Sequence, residues 1–400
     1  MPTHSPSGRL WPWWSSAARA EAAARISRGD LSAADARDPD ISALEDAVRR
    51  ELAPDAHVLA CASGTAALAS AYAALGCLPG AEILVPSHTF RATVTPLVAL
   101  GLVPVLCDTH PATGSIDLED AAARVTRRTE GIVVTHMWGR PVPLAQARAF
   151  ADQHHLALVE DCSHAHGTRH HDQPVGGAAD VAVWSLGTTK MVSGGTCGAL
   201  TTRDRALFDR AVVFGQPKHR ALAEATEYAL RAVAQSGLGQ NLRANPLAAI
   251  LARDHLDRLG AILAVKNERQ AAVEKLLTGL PETGLVPLPR PPGHTHGALY
   301  KWHWLHPDAA RATTVLAEAG LRARRPAPGL HTLPMFTQPA LARLLLPGAP
   351  RLPQAGDLPA TDRFLAGLIE LDTRDVYDPA TDPVALYEAA LTRAASRLHI

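Results

Sequence analysis

The chain has 400 residues, 47% of them hydrophobic, and sets 39 Lys and Arg against 39 Asp and Glu. Such a length exceeds one ordinary core and predicts two domains. The balanced charge offers no global field for nucleic acid or an anionic membrane surface, and no apolar run approaches the roughly 20 residues of a membrane helix.

The start, Met1-Pro2-Thr3-His4-Ser5-Pro6, has no basic stretch leading into an apolar one, which argues against a secretory signal. Cysteines at 61, 77, 107, 162 and 197 form no CxxC pair and mostly sit in or beside apolar runs. They read as reduced, buried thiols of a cytoplasmic enzyme.

Three tryptophans crowd Arg9-Leu10-Trp11-Pro12-Trp13-Trp14, an arm expected to pack on the body or on a partner subunit. Helical spacing follows at 17–26 and 42–52, with a loop-like piece at 31–40. From His57 onward apolar runs alternate with helical patterns. Strands are expected at 57–61, 82–86, 103–108, 131–137, 156–162, 181–186 and 198–202. Helices are expected at 65–75, 91–100, 118–125, 144–154 and 204–213. This alternation predicts an α/β fold: a mostly parallel seven-stranded sheet covered on both faces, three layers in all. Ligands of such sheets sit outside the carboxyl ends of the strands.

The alternation stops after 215–220. A helix at 221–232, a polar connection at 236–245 and a long helix opened by Pro246 and running to about 280 are expected next. A proline-rich joint at 287–292 precedes a strand at 299–305, a helix at 309–320, and loops and helices over 352–399. The domains are therefore drawn at 1–55 (arm and helices), 56–245 (large α/β domain) and 246–400 (long helix and a smaller C-terminal α+β domain).

The chemistry gathers in residues 156–198. The run Leu156-Ala157-Leu158-Val159 ends in Glu160-Asp161-Cys162-Ser163-His164-Ala165-His166-Gly167, a buried strand delivering polar groups to a crevice. Val181-Ala182-Val183-Trp184-Ser185-Leu186 leads through Gly187-Thr188-Thr189 to Lys190 and then into a small-residue loop. A carboxylate at one strand end and a lysine after the next suit a pyridoxal phosphate site, where an amine meets the aldehyde and an acid partners the ring nitrogen. Taken singly, Asp161 could cap a helix and Lys190 could be a solvated loop lysine. Ser63-Gly64-Thr65 closes a strand and opens a helix; it makes either a phosphate cradle or a plain N-cap.

The histidines at 164, 166, 170 and 171, near Cys162, have no second cluster at zinc-like spacing, so no metal is expected. No G-x-S-x-G elbow and no G-x-G-x-x-G after the first strand appear, which disfavours a serine hydrolase and a dinucleotide-binding module.

These motifs together resemble the DegT/DnrJ/EryC1/StrS aminotransferases. Glu160–Gly167 and Ser185-Leu186-Gly187-Thr188-Thr189-Lys190 carry the resemblance, with Ser63-Gly64-Thr65-Ala66-Ala67-Leu68, Val85-Pro86-Ser87-His88-Thr89-Phe90 and Thr135-His136-Met137-Trp138-Gly139 upstream. Gly239-Gln240-Asn241-Leu242-Arg243 and, more weakly, Gly329-Leu330-His331 continue it downstream. The resemblance implies the type I pyridoxal-phosphate transferase fold and the cofactor pyridoxal 5'-phosphate, alternating with pyridoxamine phosphate. It also implies transfer of an amino group from an amino acid, glutamate or glutamine, to a keto-sugar or keto-cyclitol in biosynthesis, as of antibiotics.

By the same resemblance Lys190 forms the Schiff base and Asp161 partners the ring nitrogen. Gly64, Thr65 and Ser185 contact the phosphate, Phe90 stacks on the ring, and His164 stands where the family usually has glutamine near the ring hydroxyl. Asn241, also on the cofactor, and Arg243 reach across the two-fold axis of a homodimer into the partner's site; Arg243 and His331 are the substrate candidates. Two departures stand out. Thr196 replaces the glutamate of the usual Gly-Glu-Gly-Gly, and Phe214-Gly215-Gln216-Pro217-Lys218 differs from the usual charged loop. They leave two other readings open: a dehydratase or other elimination on a sugar-like substrate, and a non-catalytic cofactor-binding homologue. Retention of Lys190, which is histidine in the dehydrating relatives, favours transamination.

Overall fold

The computed structural model describes residues 11–32, 38–341, 353, 356–377 and 382–398. Seven strands form the main sheet: β1 (His57–Cys61), β2 (Glu82–Pro86), β3 (Val103–Cys107), β4 (Thr129–Thr135), β5 (Ala157–Asp161), β8 (Val181–Ser185) and β9 (Gly198–Thr202), with a short pair, β6 (Arg169–His170) and β7 (Gln173–Pro174), between. Their order is β1-β9-β8-β5-β4-β2-β3. Neighbours from β8 to β3 pair in parallel, while β9 runs antiparallel to both β1 and β8. Six strands therefore end at one edge of the sheet.

Both faces are buried, which is why these strands read as unbroken apolar runs. Leu59, Ile83, Val133, Val159 and Val183 face one core, against helices Gly64–Leu75 and Arg205–Gly215. Alternate residues turn the other way: Val58, Ala182 and Trp184 pack beneath helices Pro39–Glu51 and Pro246–Asp257, and Ile132, Val134 and Leu158 beneath Leu144–His154.

A second sheet of four strands, β10 (Val286–Pro287), β12 (Trp302–Leu305), β14 (Leu368–Leu371) and β13 (Ala323–Arg324), is antiparallel throughout and has its own core around Trp302, Trp304, Leu316 and Leu391. One further strand, β11 (His294–His296), pairs with β6.

Three expectations are corrected. The helix predicted from Pro246 to about 280 is two helices, Pro246–Asp257 and Leu259–Thr278, because Arg258 leaves helical geometry at φ −111° and ψ 8°. The first half buries Ala249 and Leu256 under the main sheet and the second buries Val273 and Leu277 in the other core. Apolar spacing runs through the break, so periodicity hides it. Likewise 221–232 is not one helix but parts of Lys218–Glu224 and Tyr228–Ser236. Between them Thr226 gives its N–H and hydroxyl to Asp209 Oδ2, at 2.7 and 2.6 Å. Finally, the segment 352–399 contains β14, a central strand, where loops and helices were expected.

Candidate active site

The carboxyl-terminal edge of the parallel strands opens into a cavity of about 790 Å³ lined by Gly64, Thr65, Phe90, Asp161, His164, Ser185, Lys190 and Thr196, with Tyr300, Lys301 and Arg324 from beyond the main sheet. Eight positions singled out in the sequence thus share one wall. Topology does this: β5 and β8 are parallel neighbours, so Asp161 and the loop after Ser185 emerge side by side.

Ser63 caps helix Gly64–Leu75, its hydroxyl accepting from Ala66 N–H at 3.1 Å. The N–H groups of Gly64 and Thr65, first in that helix, have no preceding turn to bond to, and the helix dipole adds positive potential there. A side chain at residue 64 would put its Cβ 2.7 Å from Ser185 Cβ, so only glycine lets this turn approach the end of β8.

Asp161 is buried and shares the Val159 face of β5. Its Oδ2 accepts from the Thr93 hydroxyl at 2.9 Å and its Oδ1 from Ser163 N–H at 3.1 Å. Thr93 is linked through Thr89 to Thr135, a chain of hydroxyls 2.9 Å apart at each step. Glu160 turns to the opposite face, where His136 lies 2.8 Å away and the N–H groups of Gly176 and Ala178 bind the carboxylate at 2.5 and 3.0 Å.

Lys190 sits in the loop between β8 and β9. Its N–H bonds Gly187 O at 3.0 Å, and its Nζ lies 4.9 Å from the centre of the Tyr300 ring. The Tyr300 hydroxyl is 2.7 Å from that of Thr189. Burial pulls the lysine ammonium down to about 7, beyond what the nearby Asp161 restores, and Lys301 adds to the lowering. An amine so placed is partly unprotonated at neutral pH and competent as nucleophile or base.

His164 stacks on Tyr300, ring centres 4.5 Å apart, and its Nδ1 accepts the Trp138 N–H at 3.2 Å. The ring proton therefore sits on Nε2. Burial, reinforced by Lys190 and Lys301, holds this histidine neutral by pushing its pKa well down. Trp138 adopts a left-handed φ of 60° and stacks on His303 at 3.6 Å. Phe90 is half exposed at the rim, with the Arg91 guanidinium 4.8 Å from its ring centre.

Three sequence candidates lie off this wall. Asn241 is exposed, Arg243 reaches Ser32 Oγ at 3.3 Å, and neither lines the cavity. His331 is buried, with Nδ1 2.7 Å from Ser87 Oγ and Nε2 3.1 Å from Asp362, so both ring nitrogens are engaged. The histidines near Cys162 do not converge: His166 donates to Ser185 O at 3.0 Å, and His170 and His171 stand in and beside the short strand β6. Among the described residues the potential metal-ligand group is His136, Glu160 and Cys162, and its imidazole and carboxylate already bond each other and backbone N–H groups.

Sequence reasoning gives no site role to Thr89, Thr93, Thr135 or Tyr300: the first and third stand in quoted motifs, and the other two carry no local signal. Trp11 and Trp14, of the arm expected to pack on the body or on a partner, bond the loop of Lys190 on the body.

A family model decides the affiliation. It describes the DegT/DnrJ/EryC1/StrS aminotransferase family and matches residues 21–376. The chain belongs to that family. An L-glutamine:2-deoxy-scyllo-inosose aminotransferase of Streptoalloteichus tenebrarius is 30% identical over 309 residues, 76% of this chain and 72% of that protein. A protein of the same name from Streptomyces lividus is 34% identical over 235 residues, 58% of this chain. The match spans little more than half of that relative, 54% of its length.

Among solved structures, 3-amino-5-hydroxybenzoic acid synthase superposes with a TM-score of 0.80 at 26% identity, covering 97% of each chain. DesI, crystallised in the presence of its TDP-sugar product, gives 0.78 at 27% identity over 96% of this chain and 92% of its own. The chain, with its mostly parallel seven-stranded sheet, thus shares the α/β fold of these two structures.

Proposed function

We propose that the protein is a pyridoxal-phosphate-dependent aminotransferase that moves nitrogen from glutamine or glutamate to a keto-cyclitol or a related keto-sugar, working as a homodimer with shared sites. The observation that carries the reading is the pairing, in one cavity, of a lysine held near pKa 7 with a buried carboxylate one strand away. The relatives named for scyllo-inosose derivatives support the acceptor class, and their name supplies glutamine as the donor.

The residues fit the cofactor. The turn at Gly64 is closed to any side chain and presents helix N–H groups beside Ser185, a cradle suited to a phosphate. Among the described residues one hydroxyl and one N–H bond Asp161, leaving capacity to hold a protonated ring nitrogen. His164, with its proton on Nε2, can donate to a ring hydroxyl. When bound, the cofactor supplies a carbonyl for amine exchange and a ring that withdraws electrons from the substrate carbon.

The chain's own residues do the rest. Lys190 Nζ would hold the cofactor at its carbonyl carbon and, when free, would move a proton at the substrate carbon. Asp161 would hold the ring nitrogen charged, and the Thr93 hydroxyl, linked through Thr89 to Thr135, holds Asp161. Phe90 covers the rim and limits water. Thr196, exposed beside the lysine, takes the place of a carboxylate among the acceptor's contacts.

The test is a screen of amino donors and cyclic ketones against purified protein loaded with pyridoxal phosphate. Bleaching of the visible band by glutamine or glutamate, and its return with a keto-cyclitol, is the expected result. A band that no donor bleaches would refute the reading.

A further inference from the structure

Besides its own Gly187 and Leu186 contacts, the lysine loop is held by the amino-terminal arm. Trp11 Nε1 donates to the carbonyl of Lys190 itself at 2.9 Å, and Trp14 Nε1 donates to the carbonyl of Ser193 at 2.9 Å. His255 completes the clamp: its Nδ1 accepts Ser193 N–H at 3.0 Å and its Nε2 faces the Trp13 carbonyl at 3.1 Å. Nδ1 must be bare to accept, so the proton is on Nε2 and that bond is a donation. Burial lowers this histidine to about 4 and keeps the tautomer neutral.

We propose that Trp11 is a positioning residue for Lys190, and that the tryptophan arm sets where the loop carries the amine. The inference rests on the reading of Lys190 as the cofactor lysine. Trp11 is 5% exposed, and its ring lies between those of His255, 4.7 Å away, and Tyr377, 4.3 Å away. Tyr377 in turn accepts from Lys266 Nζ at 2.6 Å, and the same nitrogen donates to the Tyr300 carbonyl at 2.9 Å. Tyr300 is the ring beside Lys190 Nζ. One tryptophan thus fixes the lysine's backbone and, through Tyr377, Lys266 and Tyr300, the wall that faces its side chain.

The need is physical. Met191 and Val192 anchor the middle of the loop in the cores beneath it, but Gly187, Ser193, Gly194 and Gly195 around them impose little conformation of their own. A nucleophile misplaced by about 1 Å loses most of its advantage, so an outside brace has work that local sequence cannot supply. The third indole gives a built-in contrast: Trp13 Nε1 is buried and has no hydrogen-bond partner among the described residues.

Hydrogen–deuterium exchange on the cofactor-free protein tests the proposal. Trp11→Phe keeps a stacking ring and removes the N–H; exchange of the loop 187–195 should rise about fivefold or more, while strand β5 stays at the wild-type rate. Trp13→Phe removes an unused N–H and should leave the loop unchanged. In protein loaded with pyridoxal phosphate, Trp11→Phe should lower kcat about tenfold with the donor KM within about twofold. Equal loop exchange in the two variants, or a rise shared by β5, would overturn the proposal. Should Trp11→Phe not fold, Trp14→Phe removes the donor to Ser193 and must loosen 191–195 in the same way. The exchange result does not depend on what reaction is catalysed: a loop braced by Trp11 in a protein that transaminates nothing would refute the proposed function and leave the brace standing.

Discussion

Glu160 and Asp161 are consecutive residues of β5, and the sheet separates them: Glu160 meets His136 at 2.8 Å on one face while Asp161 meets Thr93 at 2.9 Å on the other. One carboxylate ties down a turn and the other opens on a cavity. Asp161→Asn is expected to keep the fold but to cut transamination roughly a thousandfold, about 4 kcal/mol of barrier, because the ring nitrogen loses its anionic partner. Glu160→Gln should do the reverse. It turns an amide donor toward His136 or the backbone N–H groups of Gly176 and Ala178, costing about 1.5–3 kcal/mol of stability with little change in kcat. Thermal unfolding and steady-state rates on the two variants check this, and an exchange of phenotypes would place the site on the wrong face of the sheet.

Thr93→Val should lower turnover about tenfold and leave the protein folded. The substitution keeps shape and deletes the hydroxyl that Thr93 gives to Asp161 Oδ2. The change should appear as a shifted visible band of the loaded enzyme; an unaltered spectrum would mean that the hydroxyl chain does not reach the cofactor's electronics.

Lys190 should titrate near 7, and the sign is definite. The amine is cationic below that pH and free above it, so acylation of Lys190 in the cofactor-free protein rises through about pH 7 rather than near the ordinary lysine value of about 10.4. Between those two values the unfolded chain binds the extra proton, so stability gains with rising pH over that window. Lys190→Ala should lose both the labelling and the pH slope, with turnover down by roughly three powers of ten or more. Peptide mapping that put the label on Lys218 or Lys301 would displace the assignment.

Asn241 and Arg243 do not line the cavity of their own chain, and the proposed homodimer would have them serve a neighbour's. Mixing inactive Lys190→Ala protein with an inactive Asn241/Arg243 double variant should restore part of the activity, because one hybrid site per heterodimer is intact. Continued inactivity after proven subunit exchange would confine the pair to a structural role.

Much of this architecture was legible because it is short-range. β1, β2 and β9 have the bounds that apolar runs between turn residues predict, and Leu144–His154 the bounds of its helical spacing. Ser63-Gly64-Thr65 at a strand-to-helix turn, Asp161 at a strand end and Lys190 after the next strand are local patterns; parallel β5 and β8 bring the last two together, and β9, antiparallel to both β8 and β1, brings in the first. What escaped depends on partners far along the chain. Tyr300 is 111 residues from the threonine it bonds, and Trp11 is 179 from Lys190. The kink at Arg258 escaped for another reason: both half-helices bury an apolar stripe, and the stripe does not register which core it enters.

The lone antiparallel strand has a consequence for how such a site can change. Ser185 and Gly198 are paired across β8 and β9, and Gly198 is paired again with Cys61 across β1 and β9. The loop bearing Lys190 and Thr196 therefore leaves and re-enters the sheet at a clasped neck. Residues inside that neck can be exchanged, lengthened or shortened without sliding any strand, since register is set below them. The pairing separates the composition of this cavity-lining loop from the integrity of the sheet, and Thr196 is a substitution of the kind that this separation permits.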